Sequence, residues 1–66
     1  MMSAILDILD LVHREGEISV EDLVKKLSHW RSNTLRRHLI ELRARGYITI
    51  RRVDGKEIVR KGAKLR

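Results

Sequence analysis

Tyr47-Ile48-Thr49-Ile50-Arg51-Arg52-Val53, followed by Asp54-Gly55, is the stretch that decides the fold. Before Gly46 the apolar residues recur at helical spacing. After it they alternate, with Ile48 and Ile50 on one side of a strand. Asp54-Gly55 is a strong two-residue hairpin signal, because a type I′ turn needs positive φ at both central positions. Folding back about it pairs Val53 with Lys56, Arg52 with Glu57 and Ile50 with Val59. An apolar pair and an opposite-charge pair then share one face, so the spacing predicts a two-stranded hairpin over about 47–61. Residues 62–66 read as a basic, frayed tail.

Working back from the hairpin, Leu35, Leu39 and Leu42 form a helical stripe that Ser32 caps and Gly46 closes, predicting a helix over about 32–45. Ser28-His29-Trp30-Arg31 carries no period and reads as a tight turn, with Trp30 as a core or turn anchor. A serine at 19 with an acid at 22 approximates a capping box for a helix over about 20–27, carrying Leu23, Val24 and Leu27 inward. The β-branched centre of Glu17-Ile18-Ser19 suits a short strand near 18–20. Ile5, Ile8, Leu9 and Val12 define one face of a first helix over about 3–15, with Ser3 as N-cap and Gly16 as C-cap. Met2, Leu6 and Leu11 fall outside that face. They predict either ordinary surface residues or a homodimer interface along helix 1.

The composition narrows the function. The chain has 66 residues and no cysteine, which excludes a disulfide framework, thiolate metal sites and a cysteine nucleophile. Ile, Leu and Val number 21, enough for one small aliphatic core and too few for a walled pocket beside it. No apolar run is long enough to span a bilayer, and the N-terminal run lacks the basic flank of a secretory signal. A cytoplasmic protein is the expectation, nucleoid-associated if prokaryotic. The net charge of +6 is unevenly placed. Residues 1–30 hold three basic and six acidic side chains, whereas residues 31–66 hold twelve basic and three acidic, a net of +9. That half of the chain is built to meet a polyanion.

On helix 3 the side opposite Leu35 carries Asn33, Arg37, Ile40 and Ala44, flanked by Arg36. Arg can bond guanine O6 and N7 with two donors, and Asn can bond adenine N6 and N7. Ser32 and Thr34, near the helix start, suit phosphate oxygens. Ile40 has two candidate covers, a thymine methyl or a second subunit. An ion-pair ladder along Arg37, Glu41 and Arg45 is the competing account of Arg37. His13, His29 and His38 show no ligand spacing, and His38 borders the core stripe. No phosphate loop or nucleophile–base pair is present, so neither an enzyme, a metal, a cofactor nor a small-molecule substrate is expected.

Three segments carry a family likeness: Ile18-Ser19-Val20-Glu21-Asp22-Leu23, Ser32-Asn33-Thr34-Leu35-Arg36-Arg37-His38-Leu39 and Leu42-Arg43-Ala44-Arg45-Gly46-Tyr47-Ile48. They resemble the winged helix-turn-helix domains of small bacterial and archaeal transcription regulators, from about Ala4 to Lys61. The resemblance implies an α+β fold, mostly α, with three helices and a C-terminal two-stranded wing. It also implies double-stranded DNA as partner, with helix 3 in the major groove and the wing on the backbone or in the minor groove. Ser32, Asn33, Thr34, Arg36 and Arg37 then fall on the recognition helix, and Arg51, Arg52, Lys56 and Arg60 on the wing. His29 and Trp30 depart from the small residues common in the family's turn. A sequence-selective, homodimeric transcription regulator is the leading expectation. The alternatives are a protein-interaction module in a nucleic-acid-processing complex and a non-specific, chromatin-like DNA coat.

Overall fold

A computed structural model describes residues 3–64. The element order is α1 (Ala4–Glu15), β1 (Glu17–Ser19), α2 (Val20–Lys26), α3 (Ser32–Ala44), β2 (Ile48–Val53) and β3 (Lys56–Lys61). The fold is α+β, three helices packed with one antiparallel three-stranded sheet.

The helix starts follow their caps. Ser3 Oγ accepts from the Leu6 N–H at 3.3 Å, and Ser19 Oγ accepts from the Asp22 N–H at 3.0 Å. Because Ser19 caps α2, Val20 is already helical, and the short strand lies one residue earlier than expected, at Glu17–Ser19. Helix α2 ends at Lys26, with the Leu27 N–H closing onto the Leu23 carbonyl. Ser32 does not cap α3. The first helical bond runs from the Leu35 N–H to the Arg31 carbonyl, so Arg31 is the cap and Ser32 begins the helix. Gly46, at φ +85°, follows the helix end.

The hairpin has the expected register: Val53 opposite Lys56, Arg52 opposite Glu57 and Ile50 opposite Val59. Asp54 and Gly55 take φ of 50° and 78°, as the tight turn requires. The hairpin is not isolated, however. Strand β1 pairs with β3, placing Ile18 beside Val59 and giving the order β1-β3-β2. This third strand unites a local hairpin with a segment some forty residues earlier in the chain. Residues 62–64 are also fastened, against the expectation of a frayed tail, while residues 65–66 lie outside the described residues. The Gly62 N–H donates to the Tyr47 carbonyl at 2.8 Å, and the Lys64 N–H donates to the Gly46 carbonyl at 3.1 Å. Gly62 is buried there, and a Cβ on it would run into the Gly46 carbonyl and sit 2.9 Å from the Ile48 nitrogen.

The core is aliphatic, with Ile8, Val12, Leu23, Leu35, Ile48 and Val59 fully enclosed. Helix α1 contributes Ala4, Ile8, Leu11 and Val12, while Ile5 and Leu9 are half-buried. Leu11 corrects the sequence reading. It was expected on the outer surface but is 3% exposed, in a helix against which α3, β1 and β3 all pack. The expected dimer face keeps Leu6, which is 65% exposed, and loses Leu11; Met2 lies outside the described residues. No helix among the described residues is long and apolar enough to cross a membrane.

Candidate nucleic-acid interface

The site begins with the burial of Leu35, Leu39 and Leu42, which fixes the rotation of α3. With those leucines in the core, Ser32, Asn33, Arg36, Arg37 and Ile40 are exposed, and Thr34 and His38 are half-buried. His38 Nδ1 is enclosed with no hydrogen-bond partner among the described residues.

The turn before α3 is held from below. Trp30 Nε1 donates to Asp7 Oδ2 at 2.8 Å, and His29 Nε2 donates to the same oxygen at 3.1 Å. The Trp30 indole first, and then the His29 ring, hold the Asp7 carboxyl below the usual carboxylate range. Trp30 also packs on the core. One carboxylate on α1 therefore tethers His29 and Trp30, in the turn before α3. The sequence reading of Trp30 as an anchor agrees with this, but the partner was not anticipated. Nothing local marks Asp7, which is separated from Trp30 by 23 residues.

Alternation along the strands then divides the basic residues of the hairpin. Arg52 shares the inner sheet face with Ile48, Ile50, Glu57 and Val59. Arg51, Lys56 and Arg60 lie on the outer face with Thr49, Val53 and Ile58. Toward α3, a groove is lined by Arg36, Arg52, Gly55, Lys56 and Glu57 together with the start of α2. It borders a hollow where Val20, Leu39, Ile40 and Ile50 lie beside Arg36 and Glu57. Lys56, at the hairpin tip, reaches hollows on both sides of the sheet. The structure thus brings Arg36, Arg52 and Lys56 around one groove. It leaves Arg51 and Arg60 behind the sheet, where Arg60 Nε lies 3.3 Å from Glu17 Oε1.

The charge pairing separates these residues further. Glu41 pairs with Arg45 at 3.8 Å, so the ladder that would have accounted for Arg37 stops one residue short of it. Among the described residues Arg36, Arg37, Arg52 and Lys56 form no salt bridge, while Asp10 and Glu21 on the acidic half pair within their own helices. Glu21 and Glu57 also line the groove, so Arg36, Arg52 and Lys56 leave it a formal surplus of one positive charge, with Arg37 outside it on α3. The first turn of α3 adds backbone N–H groups with no side-chain cap. Chemically the arrangement can hold an extended polyanion against α3 and the hairpin tip. No group of His, Asp and Glu among the described residues has the geometry to hold a metal ion. Comparison with protein-family models and with curated proteins gives no match.

Proposed function

We propose that this protein binds double-stranded DNA as a winged helix-turn-helix module, with α3 in the major groove and the hairpin tip on the backbone or in the minor groove. The observation that carries the reading is the set of unpaired cations, Arg36, Arg37, Arg52 and Lys56, spread over two elements that meet at one groove. The element order supports the same class. Arg37 and Asn33 supply the side-chain types that read base edges, while Arg36, Arg52 and Lys56 suit phosphates. A sequence-selective transcription regulator uses both kinds of contact, which favours it over a non-specific coat.

Size bears on the assembly. One copy is 31 Å in its longest dimension, less than the roughly 34–36 Å between half-sites one helical turn apart. A homodimer on a palindromic site would extend the contact, and Leu6 is the α1 side chain free to serve it.

Fluorescence anisotropy against a random-sequence duplex tests the function. The wild-type chain binds at low salt, and Arg36→Ala/Arg37→Ala binds much more weakly. No duplex binding at low salt would sink the proposal and favour a protein-interaction module. Selection from a random pool then separates a regulator, which enriches a motif, from a coat, which does not.

A further inference from the structure

Ile40 has no folding role that explains it. It is 69% exposed at the middle of α3, where Lys, Glu, Arg or Ala would favour the helix more. Arg36 and Arg37 stand one turn before it and Ala44 one turn after, so an apolar side chain projects from the most cationic helix face of the molecule. On its flank it joins Leu39, Ile50 and Val20 around the hollow between α3 and the hairpin, which leaves its outer surface uncovered.

Resting on the DNA-binding reading above, we infer that Ile40 contacts the 5-methyl group of a thymine and gives the site its preference for thymine-bearing DNA. A ligand drawn to this face must be polyanionic and must also present something apolar. Phosphates and sugars do not satisfy Ile40. Among the base edges in the major groove, thymine alone presents a methyl group. RNA fails on two counts: uracil lacks the methyl, and the A-form major groove is too deep and narrow for side chains to read. The helix also sets the spacing. Ile40 lies three residues beyond Arg37, about 4.5 Å along the axis. A base step is about 3.4 Å, so the thymine lies one or two base pairs from the base that Arg37 reads. Ala44, small and on the same face, leaves room for the duplex to approach.

The experiment uses the full chain and a duplex enriched by it from a random pool. Each thymine in the enriched site is replaced in turn by deoxyuridine, and affinities are measured for the wild type and for Ile40→Ala. One replacement, within two base pairs of the position relaxed by Arg37→Ala, weakens wild-type binding about fourfold, the value of one buried methyl. The same replacement leaves Ile40→Ala binding unchanged. Thermal melting of Ile40→Ala matches the wild type, since the side chain is outside the core. An enriched site whose thymines can all be replaced without effect overturns the inference and leaves DNA binding standing. Failure to bind any duplex removes the DNA reading itself, whereas binding with no motif enriched overturns the thymine preference and leaves a non-specific coat. If Ile40→Ala alters the oligomeric state in sedimentation and keeps the wild-type response to deoxyuridine, Ile40 is a protein contact and the inference is wrong.

Discussion

Trp30 Nε1 donates to Asp7 Oδ2 at 2.8 Å, joining the turn before α3 to α1. The bond is directional and half-shielded, and the carboxylate also accepts from His29. Its lowered pKa has a consequence for acid stability. A carboxylate whose folded pKa lies below its ordinary value of 3.8 stabilises the fold above that value, and the contribution is lost as pH falls through the folded pKa. Urea denaturation across acid pH checks this. The wild type loses stability more steeply than Asp7→Asn below about pH 4, and the two curves converge once Asp7 is protonated. Trp30→Ala is the harsher change, costing about 2 kcal/mol through lost packing.

Leu6 and Leu11 differ by five positions and by almost their whole exposure. Leu11→Ala leaves a cavity between α1 and its neighbours and costs about 3 kcal/mol in chemical denaturation. Leu6→Glu leaves stability within about 0.5 kcal/mol of the wild type. Sedimentation of Leu6→Glu tests the dimer: a wild-type dimer becomes a monomer, and an unchanged dimer assigns the interface elsewhere.

Gly62 is required for space, not for a positive φ. Gly62→Ala drives a Cβ into the Gly46 carbonyl and costs about 3 kcal/mol, read as a lower denaturation midpoint. Gly16→Ala offers the contrast. Its Cβ meets open space at φ +80°, so conformational strain alone costs about 1 kcal/mol.

Arg37 and Lys56 divide the work at the interface. Arg37→Ala costs about 1–3 kcal/mol on the preferred sequence and relaxes selection at one base position. Lys56→Ala weakens every sequence alike and lowers the salt slope by about one. Selection experiments on the two variants, beside binding to random duplex, check the division. Equal loss on all sequences from both would contradict it.

These outcomes also mark what the sequence made legible. The hairpin could be read in full because a two-residue turn fixes its register locally: Asp54-Gly55 alone determines that Ile50 faces Val59. The three helices were legible from their stripes, with ends misplaced by a residue or so where a cap lay elsewhere, as at Arg31. The pairing of β1 with β3, the bond from Trp30 to Asp7 and the enclosure of Leu11 were not legible. Each depends on segments far apart in sequence, which no local period reports. For the site, side-chain type and helical phase picked out Asn33, Arg36 and Arg37. The wing residues were chosen by charge, and alternation across the sheet separated Arg52 from Arg51 and Arg60.

The central claim is that unpaired cations on α3 and the hairpin meet a nucleic-acid backbone. Its most direct test is the affinity for a random duplex as salt is raised. Three phosphate-neutralising side chains, Arg36, Arg52 and Lys56, predict a log–log slope of about −3. The slope falls to about −1 in Arg52→Ala/Lys56→Ala. A slope near zero, or one that the double variant leaves unchanged, would contradict the account.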